Sequence, residues 1–340
     1  DGLTVTDRFF QLPGATMTMT SRRERAADAL RSLGIDPEAP DHEVRHLLTF
    51  SLKSPNKPSY RSLLGQSHKC DLGEGQGWVT KVQYLAPSRA AGIKGWTACP
   101  HASEGCSQAC IDTSGMMIYP THVEARKRRT LRWFLFPVET MEAFNMEVYG
   151  HHGTARLRSA KAAVRADGTS ERHFWRKKGI NRDLDVQFYD YLKSPLTPAA
   201  LAAHDSGWHQ TFSLSEKPES LLQSDAWAAV GVNSAIVVAG AGKSSAKKNK
   251  AIADELARRG SFFGRSVIFG DEHDLRFLDP ADGGWVALGA KGKSRYDETG
   301  FVVRFDADKL LGSDALAEGC LLPAHAERFF DHHSMAAAAK

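Results

Sequence analysis

From Gly77 onward the chain alternates short apolar runs with longer amphipathic segments. The apolar runs predict β-strands at 79–85, 161–165, 185–191, 209–214, 234–239, 266–269, 285–288 and 301–305. The amphipathic segments predict helices at 122–134, 138–149, 199–204, 218–227 and 246–259. Strands that alternate with helices are typical of parallel β/α units. We therefore expect an α/β fold, with a complete or partial (β/α) barrel first and an open doubly wound α/β sheet as the alternative.

The first 75 residues have a different pattern. One helix is predicted at 21–33, with Ser21 as N-cap and Gly34 at the C-terminal end. The stretches 54–62 and 71–78 are rich in proline and glycine and read as a linker. We therefore divide the chain into an N-terminal appendage with linker at 1–75, an α/β domain with a three-cysteine loop at 76–330, and a frayed tail at 331–340.

Composition limits the classes of protein that the chain can belong to. Hydrophobic residues make up 42% and charged residues 25%, and no apolar run approaches the roughly 18 residues that span a bilayer. Few cysteines and no export pattern favour a reducing cytoplasm. A membrane is therefore not an expected partner. The sequence leaves the oligomeric state open.

Positive charge is clumped although the net charge is only +4. The clumps lie at 126–129, 176–178 and 243–250. Clumping favours a polyanion, so a nucleic acid or a nucleotide is an expected substrate or partner. The alternative is that these residues form solvated helix faces. The glycine-rich stretch before Lys243 is not a phosphate loop of the usual kind, because position 237, where that motif needs glycine, is valine.

Three of the five cysteines, Cys99, Cys106 and Cys110, lie within twelve residues. Thiols this close together in a cysteine-poor chain are more often metal or cluster ligands than disulfide partners. Three thiolates can hold a [4Fe–4S] cluster and leave one iron open. A structural zinc would need a fourth ligand, for which His101, Cys70 or His68 are available. The third alternative is that the cysteines bind no metal.

Polar clusters follow five of the predicted strands, where α/β folds place their chemistry. They lie at 167–170, 190–193, 213–216, 271–274 and 291–293. Carboxylates at a strand end can bind a divalent metal, act as a general base or hold ribose hydroxyls. Lys193 could bind an anion, donate a proton or form a Schiff base. The structural alternatives are an Asp/Arg network at 271–279 and a salt bridge from Lys193 to Glu216.

Taken together, several motifs resemble the phage and plasmid family named after mycobacteriophage gene product 88. They are LAPSRAAG, ACPHASEGCSQAC, DTSG, EARKRRT, VRADGTSE, VQFYDYLKS, FSLSE and GDEHDLRFLDP, and they span residues 77–304. The cysteine block matches at Cys99, Cys106 and Cys110. Asp167 and Glu171 replace the usual asparagine and aspartate of one family element, and Leu192 replaces the threonine of another.

A more distant likeness connects the cysteine loop with divergent radical S-adenosylmethionine (SAM) proteins, and it implies that the expected barrel is of the radical SAM type. This likeness implies an enzyme in which Cys99, Cys106 and Cys110 hold a [4Fe–4S] cluster that binds SAM. The residues then expected to cradle SAM are Arg165, Thr169, Ser170, Ser213, Ser215 and Glu216. Those expected to face the substrate as catalytic residues are Asp190, Lys193, Asp271, Asp274 and Arg276. The competing hypotheses are a nucleic-acid-binding protein or metal-dependent nuclease, with zinc or no metal at the cysteines, and a non-catalytic phage accessory protein.

Overall fold

The structure, a computed structural model, describes residues 17–52, 58–177, 179–313 and 315–338. Parts of three predicted regions lie outside the described residues. These parts are 1–16 and 53–57 of the appendage, Lys178 of the second basic clump, and 339–340 of the tail.

The described chain has a mixed α/β architecture. Its α-helices are α1 (Met19–Arg31), α2 (Asp41–Thr49), α3 (His68–Asp71), α4 (Glu104–Gln108), α5 (Pro120–Leu135), α6 (Pro137–Leu157), α7 (Pro198–Asp205), α8 (Glu219–Ala228), α9 (Ala246–Arg259), α10 (Ala307–Gly312) and α11 (Pro323–Ala338). Its strands are β1 (Phe50–Leu52), β2 (Pro58–Tyr60), β3 (Leu64–Gly65), β4 (Trp78–Gln83), β5 (Lys161–Arg165), β6 (Val186–Leu192), β7 (Trp208–Ser213), β8 (Ser234–Gly240), β9 (Ser261–Phe262), β10 (Arg265–Phe269), β11 (Trp285–Gly289) and β12 (Val302–Phe305). Short 3₁₀ helices lie at Leu72–Gln76, Ile111–Thr113, Gly115–Ile118, Phe174–Arg176, Arg276–Leu278, Gly292–Tyr296 and Ala317–Cys320.

The main sheet has ten strands and is mostly parallel. Its order is β3-β4-β5-β6-β7-β8-β11-β10-β9, and β12 also pairs with β8. The pairs β4/β5, β7/β8, β8/β11, β8/β12 and β10/β11 are parallel, whereas β3/β4 and β9/β10 are antiparallel. Among the described strands this order ends at β3 and β9, so the sheet is open. The α/β fold with parallel strands is confirmed, and the complete barrel is wrong. A closed barrel needs its first and last strands to pair, and here short antiparallel strands end the order instead.

The chain divides into two compact units, each built from separate segments. The first unit contains 1–67, 77–100 and 116–188, as far as these are described. In its core Ala26 and Leu30 of α1 pack with Leu131 and Phe134 of α5 and with Trp96. The small side chains of α1 allow this close helix packing, and the buried Arg22 donates from Nη1 to the Phe134 carbonyl at 3.2 Å. The helix predicted in the appendage therefore shares a core with the α/β elements of this unit.

The second unit contains 68–76, 101–115 and 189–340, as far as these are described. Its central strand, β8, is an almost uninterrupted apolar run, as expected for a strand with neighbours on both sides. Helix α9 begins after the N-cap Ser245 and ends before Gly260, whose φ of +79° is a left-handed conformation that favours glycine. Asn249 on α9 accepts from Gly240 N and donates to the Ala290 carbonyl, which holds the helix against β8 and the end of β11.

The boundaries of all eight predicted strands agree with the observed boundaries within two residues. The structure adds α2, the short helices α3, α4 and α10, and the final helix α11. Residues 331–338, expected as a frayed tail, continue α11. Helix α1 begins two residues earlier than predicted, because Thr18 and not Ser21 is its N-cap.

Candidate functional site

The loop that carries Cys106 and Cys110 is fixed by a carboxylate in the second unit. Ser103 caps α4 by accepting from Cys106 N at 3.1 Å, and its hydroxyl donates to Glu216 Oε2 at 2.6 Å. Gly105 N donates to Glu216 Oε1 at 2.8 Å. Glu216 follows β7, so this carboxylate connects the cysteine loop to the carboxyl edge of the sheet. Its structural role is to anchor the loop.

Close packing holds the same loop from the other side. A Cβ on Gly105 would lie 2.7 Å from Phe301 Cβ and 2.9 Å from Glu216 Oε2, so only glycine fits there. Cys106 and Ala109 pack against Ala239 and Val302, which lie on β8 and β12. Cys106 is therefore placed beside the ends of parallel strands, where the sequence predicted the chemistry to lie.

The segment around Cys110 contacts the polar loop that follows β11. Cys110 precedes the 3₁₀ helix Ile111–Thr113, and Lys293 N donates to Thr113 Oγ1 at 3.1 Å. Gly292 has a φ of +55°, and a Cβ there would lie 2.8 Å from the Thr113 carbonyl oxygen. Glycine is thus required for this contact, and two strand-end loops, after β7 and β11, fix the cysteine segment.

Lys193 lies directly after β6 and contacts the end of β7. Its Nζ donates to Ser213 Oγ and is 5.3 Å from the centre of the Phe301 ring. Phe301 also contacts Gly105, so Lys193 and the Cys106 loop share a neighbour. Nearby, Ser215 N donates to Ser220 Oγ at 2.9 Å, and Arg328 donates to the Ser215 carbonyl. The backbone of Ser215 thus serves local structure.

A second polar cluster surrounds Asp271, after β10. Its buried carboxylate receives Lys291 Nζ at 2.7 Å and Gly289 N at 2.8 Å, and Lys69 Nζ lies 3.5 Å away. Burial alone would raise the pKa of Asp271, but the Lys69 and Lys291 ammonium groups and the backbone N–H lower it below its ordinary value. Asp271 is therefore ionised at neutral pH.

Three other predicted catalytic residues are held in the interior of the second unit. Asp274 accepts from the Tyr189 hydroxyl at 2.9 Å. Arg276 is 1% exposed, donates to the His273 carbonyl and lies 3.1 Å from Asp279 Oδ2. Asp190 is buried and accepts from Trp208 Nε1 at 2.9 Å. The positions of Asp274 and Arg276 fit the Asp/Arg network expected at 271–279 as the structural alternative.

Cys99 belongs to the first unit, where its sulfur has two backbone neighbours. Ser88 N donates to Cys99 Sγ at 3.2 Å, and Cys99 Sγ in turn donates to the Thr169 carbonyl at 3.8 Å. Cys99 is only partly buried, so its sulfur is not sealed from solvent by these contacts.

The loop after β5, predicted to cradle SAM, satisfies its own polar groups. Thr169 donates its hydroxyl proton to the Leu85 carbonyl, and Ser170 donates to Asp167 Oδ1. Arg172 N also donates to Asp167 Oδ1, and Arg165 reaches the Gly168 carbonyl. Burial raises the pKa of Asp167, and these hydrogen bonds only partly oppose the effect.

The basic clump at 126–129 is largely structural, which neither of its predicted interpretations anticipated. Arg126 and Arg128 are buried and donate to the carbonyls of Met117 and Leu47, at 3.0 and 2.9 Å. Arg129 donates to the Ser62 carbonyl at 2.7 Å. The clump at 243–250 differs, because Lys243, Lys247 and Lys250 are exposed.

The family comparison covers most of this architecture. The model of the gene product 88 family matches residues 62–304, which is more than half of the chain. The chain belongs to the gene product 88 family. The match starts fifteen residues before the predicted resemblance and so includes α3, which the sequence pattern assigned to a linker. No curated protein and no solved structure matches the chain.

These comparisons leave the distant likeness to radical SAM proteins without support. The gene product 88 match contains the three cysteines of the loop and all the predicted cofactor-binding and catalytic residues. It ends before α10 and α11. Within the described residues, no helix is long and apolar enough to cross a membrane.

Lys69 is the functional candidate that the sequence pattern missed. It lies between glycine-rich and polar residues that look like a linker, and no periodicity connects it with the strand ends. In the structure it joins the Asp271 cluster, which only the fold of the second unit brings about. The signal available in the sequence was the GDEHD run, which predicts carboxylates in need of cations.

Proposed function

We propose that this member of the gene product 88 family is an iron–sulfur enzyme whose [4Fe–4S] cluster is held by Cys99, Cys106 and Cys110. The observation that carries the proposal is the anchoring of the Cys106–Cys110 segment at a sheet edge by Glu216 and by the loop after β11. An anchored loop keeps soft ligands in place without a disulfide, and the five cysteines, all of them among the described residues, form no disulfide with one another.

The donor set suits an iron–sulfur cluster. Thiolates are the preferred protein ligands of such clusters, and hydrogen bonds to sulfur tune them. Ser88 N supplies one such bond at Cys99. When bound, a cluster with three thiolate ligands supplies an open iron that can bind SAM and deliver an electron. The chain's own residues account for the remaining roles.

Lys193 is the strongest candidate for holding an anionic group of a substrate or of SAM. Its ammonium group lies on the carboxyl side of the strands and donates to Ser213. Thr169 and Ser170 already donate their hydroxyl protons to protein oxygens, so towards a ligand they offer lone pairs only. They suit ribose hydroxyls better than a carboxylate. Glu216 positions the cysteine loop through its hydrogen bonds to Ser103 and Gly105.

Metal analysis tests this proposal directly. Protein expressed and purified without oxygen is expected to be brown and to contain about four irons and four sulfides per chain. Cys99→Ser, Cys106→Ser and Cys110→Ser should each lose most of the iron. Cys320→Ser is the matched control, because Cys320 is equally a free thiol but is buried among other elements and should keep the iron.

The other outcomes of that analysis are equally informative. One zinc per chain, lost in the same three variants, would replace the cluster by a structural zinc site. A colourless protein with neither metal after anaerobic reconstitution would overturn the proposal. Iron lost equally in Cys320→Ser would show that the loss reflects folding and not ligation.

A second candidate function, binding of a nucleic acid, rests on the clump at 243–250. Lys243, Lys247 and Lys250 are exposed around the first turn of α9, where helix N–H groups also favour anions. Lys248 is paired with Asp308 at 3.0 Å and is less available. Three exposed lysines at one helix end could contact three phosphates.

Salt dependence of DNA binding tests this candidate. Phosphate contacts release counterions, so each lost contact lowers the slope of log K against log salt by about 0.9. Replacing Lys243, Lys247 and Lys250 by glutamine should therefore lower the slope by about 2 to 3. Arg31, Lys94 and Lys309 are exposed residues elsewhere, and their replacement by glutamine is the control. An equal effect in both triple variants would remove this candidate.

A further inference from the structure

The solvent-facing side of helix α6, in the first unit, carries large apolar side chains. Met146, Tyr149 and Leu157 are 69%, 67% and 90% exposed. They lie on the side of α6 opposite its buried residues, among them Phe144 and Ala155, because the two sets follow the helical repeat half a turn apart. A surface helix normally directs polar side chains to water, so this exposed apolar face marks a contact surface.

Two glycines lie on the same exposed face, although packing within the chain does not require them. A Cβ on Gly150 or Gly153 would meet no atom of the described residues within 4 Å. Neither glycine has a positive φ, so the backbone conformation does not require glycine either. Inside a helix each glycine costs about 1 kcal/mol relative to alanine. Their effect on the surface is to leave room for another helix to approach closely.

Two opposite charges flank this face symmetrically. Glu142 and Arg156 are exposed, and each lies seven residues from Tyr149, on either side of it along α6. Seven residues are close to two helical turns, so the three side chains lie along one side of the helix. Among the described residues, neither charged side chain has an ion-pair partner within the chain. The two charges are therefore available to a molecule that lies along the helix.

We propose that this face of α6 binds the same face of a second copy of this chain, with the two helices antiparallel around a twofold axis at Tyr149. In such a pair, Glu142 of each helix lies level with Arg156 of the other, and the two Tyr149 rings meet at the axis. Met146 lies three residues before the axis and Gly153 four residues after it, so each Met146 lies over the partner helix's glycine. A parallel pair would instead place Glu142 against Glu142 and Arg156 against Arg156. The charges thus select both the partner, which carries the complementary pattern, and its direction.

The size of the face sets the strength of the expected dimer. Glu142 and Arg156 are about 21 Å apart along the helix, and a contact of this length is smaller than a standard-size interface. We therefore expect a weak dimer whose population rises with protein concentration. The proposal goes beyond the proposed iron–sulfur function and does not depend on it, since α6 contains none of the three cysteines.

A solvated helix face is the competing explanation. An acidic residue near the start of a helix and a basic residue near its end also interact favourably with the helix dipole in a monomer. In that case the charges of Glu142 and Arg156 have no influence on association, and the chain stays monomeric. Association and its response to charge reversal therefore separate the two explanations.

Sedimentation velocity of the full chain, from about 5 to about 500 µM, tests the proposal. Wild-type protein should form a dimer over this range. Glu142→Arg and Arg156→Glu should each raise the dissociation constant about tenfold, because each variant places like charges opposite one another at two points. The double variant should return to within about threefold of wild type. Glu38→Arg, which makes the same charge change at an exposed position outside α6, is the matched control and should leave association unchanged. A wild-type monomer at all concentrations, or a dimer that the double variant does not restore, would overturn the proposal.

Disulfide trapping tests the direction of the two helices. In the antiparallel pair the two copies of position 149 lie at the axis, whereas the two copies of position 157 are about 24 Å apart along the helices. Under mild oxidation Tyr149→Cys should therefore give a covalent dimer that wild-type protein does not give, and Leu157→Cys should not. A covalent dimer of Leu157→Cys, or none of Tyr149→Cys, would contradict the antiparallel arrangement. Circular dichroism of each variant reports folding, and the iron content of the same samples reports the proposed cluster separately.

Discussion

Asp167 and Asp271 occupy equivalent places in the sequence pattern, yet their surroundings are opposite. Each follows the end of a parallel strand by two residues and has a glycine neighbour, Gly168 or Gly270. Asp167 accepts hydrogen bonds from Ser170 and from Arg172 N, and burial raises its pKa. Asp271 receives two lysines, and its pKa is lowered. The position after a strand thus predicts a buried, hydrogen-bonded aspartate. The direction of its pKa shift depends on the balance of burial with the nearby charges, which are Arg172 and His173 at Asp167 and two lysines at Asp271.

The largest loss of stability is expected when the glycine beside Asp167 or Asp271 is replaced, because these glycines let each loop pack closely against the sheet. A Cβ on Gly168 would lie 2.8 Å from the Gln83 carbonyl oxygen, which belongs to β4 and cannot move freely. We expect Gly168→Ala to lower the free energy of unfolding by about 3 kcal/mol in urea denaturation. In Gly270→Ala the new methyl group would mainly meet the side-chain ends of Val286 and Leu288, so the loss should be smaller.

Gly150→Ala is the matched control for these variants. Gly150 lies in α6 with open space around its Cα, so alanine should stabilise the protein by about 1 kcal/mol through helix propensity. Equal losses at 168 and 150 would contradict the steric explanation.

Removal of the Asp271 carboxylate should have the next largest effect. Asp271→Ala leaves Gly289 N without its acceptor and two lysines without their shared partner, and we expect a loss of about 2 kcal/mol at pH 7. Asp271→Asn keeps an acceptor for Gly289 and should lose less. The measurement is urea denaturation, and an unchanged stability in Asp271→Ala would show that the cluster is solvated.

Asp167→Asn should stabilise the protein, whereas the Asp271 variants should destabilise it. Asparagine can still accept from Ser170 and Arg172 N, and it removes a charge whose burial costs free energy. We expect a gain of up to about 1 kcal/mol at pH 8. Destabilisation at pH 8 that is absent at pH 4 would mean that the charge of Asp167 is compensated after all.

The smallest effect is expected in the pH dependence of wild-type stability. Asp271 has a lowered pKa, so it stabilises the fold above the unfolded value of about 3.9, and this contribution is lost as pH falls through its folded pKa. Asp167 has a raised pKa, so its protonated form stabilises the fold below about 3.9, and this contribution is lost as pH rises through its folded pKa. The free energy of unfolding should therefore be measured from pH 3 to 8. Its pH dependence should become weaker below about pH 3.9 in Asp271→Asn and weaker above about pH 3.9 in Asp167→Asn. Identical changes in both variants would contradict the comparison.

The strands could be predicted well because local patterns determine them. A run such as Ser234–Gly240 is apolar along its whole length, and its central place in the sheet follows from that composition. Whether the sheet closes into a barrel or stays open could not be predicted, since that depends on pairing between distant strands. The short antiparallel β3 and β9, which end the strand order, carry no pattern of their own.

The candidate site was predictable in position but not in the roles of its residues. The cysteines were identified from their spacing. The polar groups were identified because α/β folds place their chemistry at the carboxyl ends of the strands. Glu216 was predicted to bind a cofactor, and no sequence pattern indicated that it also anchors the loop of Cys106. Arg126 and Arg128 were expected at a surface and instead bind backbone carbonyls in the interior. A hydrogen-bond partner distant in sequence has no local signature.

The sequence by itself determined the α/β pattern, the membership of the gene product 88 family and the presence of three closely spaced thiols. These follow from periodicity, motif order and residue type, all of which are local. Only the tertiary structure decided that the sheet is open, that Lys69 and Lys291 share Asp271, and that burial outweighs the nearby Arg172 and His173 at Asp167. The physical reason is that charge and reactivity depend on distance and burial, which the fold sets.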